Sequence, residues 1–489
     1  MSGFNGMRVA FLQEPELEFG AGRHIDIRFG LMNYGPLDAQ SPLAPHEIRV
    51  GIVGTSATVA GVREWLERCA AGVMAKQSPQ PYLFPPFPGF GTDTTFAAKL
   101  VFADRLERTI HEREIINLAR HGRGLIEEAI ELFLAEMRHL VESAQPHVLV
   151  CALPWSLLDL MTSSDDDSAE NALGGDKAGS DAGASEEGGD APDFHHLLKA
   201  RAMPFRTPIQ LIKPSTYGNI RRGQGDDQVQ DEATRAWNFI TALYYKAGGT
   251  PWRLTRDPSD LTTCYVGVAF YNTRDRETLS TSIAQVFNER GDGVIVRGAA
   301  ATISKEDRQP HLAEEDAYQL LVDALDLYRR EHKNLPARAA AFKTSRHNAA
   351  ELAGFQQAIA DRGVDSFDLL SVGSASAKLF RRGAYPPLRG TLLTLDDRDQ
   401  ILYTRGSVEF FSTYPGMYVP QPLAMRIDAG DTTAKELARE TLALTKMNWN
   451  NTQFDGHAPI TIRAARQVGS ILKYVGPDDP LESRYANYM

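Results

Sequence analysis

Short apolar runs alternating with helical patterns constrain this chain more than any other feature of it. IRVGIVG at 48–54, PHVLVCALPW at 146–155 and PIQLI at 208–212 read as strands. Between them, Trp65, Leu66 and Cys69 share one helical face, and Leu125, Ile126, Ala129, Ile130, Phe133, Leu134, Met137, Leu140 and Val141 keep helical spacing. Strands that alternate with helices imply an α/β core with parallel pairing. The GIVGTS turn at 51–56 lacks the Lys of a phosphate loop and the spaced glycines of a dinucleotide fingerprint, so it reads as a tight strand-to-helix turn.

After Trp252 a second α/β unit begins. CYVGVAFY at 264–271 and GDGVIVRG at 291–298 read as strands. The helix at 314–332 places Ala317, Leu320, Leu321, Ala324, Leu325 and Tyr328 on one face. ARAAAFKTS at 337–345 follows as a buried strand, then a helix capped by Asn348. At 489 residues the chain exceeds one ordinary core and suggests two or three domains. Residues 1–46, rich in Gly and Pro between short apolar pieces, read as an extended arm laid across them.

The net charge of -11 argues against a nucleic-acid partner until its distribution is read. Residues 163–193 alone contribute -9, so the remainder carries about -2. The acidic stretch at about 161–193 has almost no large apolar residue and is expected to be disordered. No run of about 18 apolar residues exists, so no membrane helix is expected. The start lacks the features of a secretory signal, which points to a cytoplasmic protein. Cys69, Cys151 and Cys264 lie far apart in apolar or helical patterns, as buried thiols without zinc spacing.

Against this background, Lys199, Arg201, Arg206, Lys213, Arg221 and Arg222 stand together with no acid among them, which suggests an anionic ligand. His195 and Lys199 are four apart, on one face of a helix that Asp193 can cap. Gln210 falls in the short strand, and Lys246 ends the helical pattern AWNFITALYYK before Gly248 and Gly249. A His, two Lys and a Gln on separate elements suit a terminal phosphate, the ammonium groups supplying charge and the amide orientation.

The H-x3-K pair, the strand Gln and YYKAGGTPW resemble the MID domain of prokaryotic Argonautes. PLRGT at 387–391, YPGMYVPQPL at 414–423, LTKMNWNNTQF at 444–454 and APITIRAARQVGSIL at 458–472 resemble the PIWI half of the short members of that family. LEFGAGRHIDIRFGLMNYGP at 17–36 resembles their beginning. The resemblance implies an arm over 1–46, a Rossmann-like MID domain over 47–255 and a ribonuclease-H-like PIWI domain over 256–489. His195, Lys199, Gln210 and Lys246 would then bind the 5′-phosphate of a guide strand, with Mg²⁺ beside it held by the carboxylate of Met489.

Cleaving relatives hold two metal ions with several carboxylates. The matching positions here are Ala269, Thr344 or Ser345, and Arg466, and an Ala, a hydroxyl and a cation cannot hold two metal ions. Glu314 or Glu315 is the candidate for the supporting Glu, and Asp275, in the loop after the first strand, is the candidate substitute. The resemblance therefore implies a guide-binding protein that does not cut: RNA or DNA guide, complementary DNA target, and catalysis in an APAZ-containing effector with a TIR, sirtuin-like or nuclease module. Such pairs act as heterodimers that assemble further on activation, in immunity against plasmids or phage. Arg381, Arg382, Arg389 and Arg405, in loops around apolar strands, are candidates for the wall of a nucleic-acid channel. Two alternatives stay open: a nuclease with displaced carboxylates, and an α/β protein that binds a nucleotide phosphate.

Overall fold

The fold is described from a computed structural model, over residues 7–163, 192–218, 230–256, 260–273, 279–285, 293–380, 386–416, 419–476, 479 and 481–489. Most of the acidic stretch, together with Asp275, Arg221, Arg222, Arg381 and Arg382, lies outside the described residues.

The first unit is a parallel sheet ordered Lys99–Val101, Glu47–Gly54, Val148–Ala152, Ile209–Ile212, with Glu107–Thr109 also pairing with Glu47–Gly54. Its three longer strands are the apolar runs of the sequence. Buried between helices on both faces, they need no polar side, which is why the runs are continuous rather than alternating. Ser56–Ala71 and Glu232–Lys246 cover one face, Leu125–Ala144 and Phe194–Ala202 the other. The GIVGTS segment is the expected tight turn: a Cβ on Gly54 would stand 2.4 Å from Thr58 Oγ1 and 2.7 Å from the Ala152 carbonyl.

The second unit is a nine-stranded mixed sheet. Thr263–Asn272, Arg338–Lys343 and Ser366–Ser374 run parallel at its centre. Leu279–Gln285 and Val294–Ala300 extend it on one side; Leu423–Gly430, Asp399–Leu402 and Thr391–Thr394 extend it on the other. Helices Glu314–His332 and Ala349–Arg362 pack on one face, the second opened by a reciprocal Asn348 and Glu351 cap. Helix Ile460–Leu472 lies on the opposite face. Its backbone comes so close to the strand Thr263–Asn272 that a Cβ on Gly267 would stand 2.0 Å from the Thr461 carbonyl.

The arm is not wholly extended. Arg8–Phe11 forms the edge strand of the large sheet, antiparallel to Thr391–Thr394, and Leu17–Glu18 pairs with Arg253–Leu254. Ile27–Tyr34 is a helix, capped by the Asp26 carboxylate on the Phe29 N–H. The sequence pattern missed it because it holds only 8 residues, among scattered Gly and Pro. At the other end of the first unit, Trp155–Ser163 is helical and buries Met161, so order extends past the expected start of the acidic insertion.

One continuous apolar core spans both units. Trp252 and Trp449 join them: the Trp252 indole donates to the Lys446 carbonyl at 3.0 Å, and the Trp449 indole donates to the Trp252 carbonyl at 3.2 Å. Each ring thus buries its apolar body with its N–H satisfied. All three cysteines are buried. No described helix is long and apolar enough to cross a membrane.

Candidate functional site

Helix Phe194–Ala202 starts at Asp193, whose carboxylate accepts the His196 N–H at 2.8 Å. One turn on, Lys199 is buried, and its Nζ donates to the main-chain oxygens of Met489 and, at 3.5 Å, Tyr488. Lys246, the last residue of its helix, is also buried. Its Nζ donates to Gln210 Oε1 and, at 3.0 Å, to the Ile209 carbonyl. Gln210 Nε2 donates to the Leu211 carbonyl at 3.3 Å, so the amide is fixed from both ends. A reversed chain at Gly248, with φ of 101°, lets the helix stop where Lys246 reaches the strand.

His195 faces the same place. Burial first, and then Lys199, His196, Lys246 and Lys213, push its imidazole well below the ordinary range. Protonation of the ring is thereby disfavoured. Lys213, one residue beyond the strand Ile209–Ile212, is the least of the cationic influences on that ring.

Arg201 and Arg206 turn away. Arg201 pairs with Glu131 at 2.5 Å on the outside, and Arg206 is exposed, 3.9 Å from Glu482. Lys246 and Gln210 thus meet where a helix end reaches the strand, and His195 and Lys199 lie one turn apart on helix Phe194–Ala202.

The residues do not make an oxygen cage for Mg²⁺. That ion prefers carboxylates, phosphates and retained waters. The Met489 oxygen expected to serve it receives the Lys199 ammonium instead.

In the large sheet, Ala269 is buried in the apolar core on the strand Thr263–Asn272. Thr344 continues the neighbouring strand, its N–H donating to the Val268 carbonyl at 3.1 Å. The Ser345 hydroxyl donates to the Pro310 carbonyl at 2.7 Å, and Arg466 is exposed on helix Ile460–Leu472. Glu314 and Glu315 are exposed in the first turn of their helix. Among the described residues, one group of three His, Cys, Asp or Glu side chains stands close enough to share an ion, and it is Asp193, His195 and His196.

Arg389 does not line a channel. It is buried, and its guanidinium donates to Glu14 at 2.9 Å, to Thr445 Oγ1 at 2.9 Å and to the carbonyls of Thr404 and Leu442. Lys446 Nζ reaches the same Glu14 at 3.0 Å, so arm and sheet share a buried charge cluster. Arg405 is half-buried and donates to the Asp455 carbonyl at 2.9 Å. A loop Arg next to Gly looks exposed in sequence. Here both are drawn inward by acceptors far away in the chain.

No family model and no curated protein matches the sequence. Solved structures do match. Clostridium butyricum Argonaute bound to a guide DNA and a 19-mer target DNA is similar over 96% of this chain, with a TM-score of 0.64 and 14% identity. Drosophila Piwi is similar over 98%, with a TM-score of 0.61 and 12% identity. Aa-Ago, solved with externally bound siRNA, is similar over 98%, with a TM-score of 0.59 and 15% identity. The fold is Argonaute-like. The two sheets correspond to the MID and PIWI halves of such proteins. The chain spans about half the length of these Argonaute and Piwi chains, covering 54%, 56% and 56% of them.

Proposed function

We propose that this chain is a short Argonaute: it holds a guide strand by its 5′-phosphate, pairs the guide with complementary nucleic acid, and does not cut. The supporting observation is buried Lys246 bonded to Gln210, with His195 and buried Lys199 one turn apart on helix Phe194–Ala202. A terminal phosphate carries roughly 1.5 to 2 negative charges near neutrality. One ammonium about 4 Å away contributes roughly 4 kcal/mol at an effective dielectric near 20, before desolvation is subtracted. Lys199 and Lys246 are already desolvated by the fold, so binding costs them little more. The Gln210 amide, fixed at both ends, orients the phosphate, and His195 supplies a hydrogen bond.

Beyond the first nucleotide, base pairing reads sequence and the protein holds the backbones. Buried Ala269, the engaged Ser345 hydroxyl and cationic Arg466 favour the reading without cleavage, because a two-metal site needs converging carboxylates. Catalysis then belongs to an APAZ-containing effector in the cytoplasm, switched on by a guide and target duplex, RNA-guided recognition of DNA being the expected form.

The test uses filter binding of 5′-phosphorylated and 5′-hydroxyl oligonucleotides of about 20 nucleotides. Lys199→Ala with Lys246→Ala weakens the phosphorylated strand far more than the hydroxyl one. Equal losses for both would place the phosphate elsewhere. Target cleavage by the wild-type protein with Mg²⁺ or Mn²⁺ would overturn the non-cutting half of the proposal.

A further inference from the structure

We propose that Asp193, His195 and His196 bind a zinc-class divalent ion at the start of helix Phe194–Ala202, and that this ion strengthens the hold on the guide phosphate. The second half rests on the function proposed above; the first half does not.

The donor atoms of the three side chains lie within 4.8 Å of one another. Two imidazoles and a carboxylate suit zinc or a similar borderline ion, and they are a poor set for magnesium or calcium. Two donors are already held. Asp193 is fixed by its N–H donating to the Tyr474 hydroxyl at 2.9 Å and by accepting the His196 N–H at 2.8 Å. The His196 ring stands 3.1 Å from the same carboxylate.

A helix cap explains Asp193 and orients His196, but it does not account for His195. That ring sits with its centroid 5.2 Å from the His196 ring, and its Nδ1 is shielded from water with no hydrogen-bond partner among the described residues. A buried nitrogen without a partner is costly, and an ion would satisfy it. Zinc–nitrogen bonds of about 2.0–2.1 Å at a tetrahedral angle put donors roughly 3.3 Å apart, which side-chain rotation reaches from here.

Three protein ligands leave a coordination position open. His195 and buried Lys199 lie one turn apart on the same helix, so that position opens beside a lysine of the proposed phosphate pocket. A dication beside that lysine is favoured when an anion is present, and by linkage the anion is then held more tightly when the ion is present.

The site is tested on the full chain with Co²⁺ as a visible probe and Zn²⁺ by calorimetry, without nucleic acid. The expected result is one ion per chain, d–d absorption of a low-coordinate Co²⁺ complex, displacement by Zn²⁺ and none by Mg²⁺. His196→Ala and Asp193→Asn, the latter keeping the cap, should each lower Zn²⁺ affinity more than about 100-fold, beyond what loss of an outer partner costs. Unchanged stoichiometry and affinity in both folded variants would overturn the site.

In the second arm, Zn²⁺ should tighten binding of a 5′-phosphorylated oligonucleotide by about tenfold, within the usual range of coupling. It should do nothing for the 5′-hydroxyl form, and nothing for either in His196→Ala. Zinc binding without that gain overturns the coupling. Zinc binding by a protein that ignores the 5′-phosphate sinks the guide-binding reading and leaves the metal site standing.

Discussion

Lys246→Met isolates one charge of the pocket at nearly constant volume. In the wild type, the Lys246 ammonium is 2% exposed and holds the Ile209 carbonyl at 3.0 Å together with Gln210 Oε1. The Coulomb gain toward one phosphate charge at about 4 Å is roughly 4 kcal/mol at an effective dielectric of 20. Measured couplings of close charge pairs run from about 1.5 to 7 kcal/mol, and the fold has already desolvated this ammonium. A loss of about 3 kcal/mol is therefore expected, roughly a hundredfold weaker binding of a 5′-phosphorylated guide. The 5′-hydroxyl guide should change less than about threefold, well under the 1.4 kcal/mol that a factor of ten requires. The substitution also strips a donor from two protein acceptors, one a main-chain carbonyl, at a cost of about 1–3 kcal/mol of stability. Each titration is therefore paired with a thermal melt, to count only folded protein. A folded Lys246→Met protein that binds the phosphorylated guide as tightly as the wild type would refute the assignment. So would equal weakening on both guides.

Two further predictions concern the buried charges around the arm. Burial pushes the Glu14 carboxyl up, but Arg389 and Lys446 together hold it below its ordinary value of 4.5. Its stabilisation is therefore complete above that value and is lost as pH falls through the lower folded value. Glu14→Gln should cost about 3–5 kcal/mol at pH 7, since it leaves two buried cations without their shared partner. The variant should also lose less on acidification below about pH 4.5 than the wild type does, by denaturant melts, while guide affinity per folded molecule stays the same. Asp455 goes the other way: burial raises it from 3.8 to about 6 against the pull of Arg405 and Arg389. The folded protein keeps this proton up to about pH 6 while the unfolded chain releases it near 3.8, so stability falls as pH rises through that window, by about 3 kcal/mol. Asp455→Asn should raise the melting temperature at pH 7.5 and remove most of the slope between pH 4 and 6; an unchanged slope would assign it to other groups.

The elements that the sequence made legible are those whose own pattern decides their state. IRVGIVG, PHVLVCALPW and CYVGVAFY are buried on both faces and became Glu47–Gly54, Val148–Ala152 and Thr263–Asn272. Asn348 and Asp193 cap helices because their side chains satisfy N–H groups three residues away, a local matter. The spacing of His195 and Lys199 set both on one helix, and the strand Gln and helix-ending Lys fell where expected. What stayed hidden depends on distant chain. Arg389 is buried because Glu14, 375 residues earlier, reaches it. The lowered basicity of His195 follows first from burial and then from lysines on separate elements. Met489 meets Lys199 across 290 positions. The helix Ile27–Tyr34 is short enough that packing rather than periodicity decides it.

The pairing of Arg8–Phe11 with Thr391–Thr394 has a bearing on how the molecule is made. On the ribosome, synthesis runs from the amino end, so a stitch between these segments waits until the whole first sheet and most of the second have emerged. Until then Val9 and Phe11 have no neighbour to lie beside, and Glu14 has neither of its cations. The first sheet can complete itself early from contiguous segments, whereas the second is closed at one border by residues that precede the first sheet entirely. Such long-range closure is slow and leaves an unpaired border during assembly. Newborn chains of this protein should accordingly depend on chaperones more than the finished molecule's continuous interior would suggest.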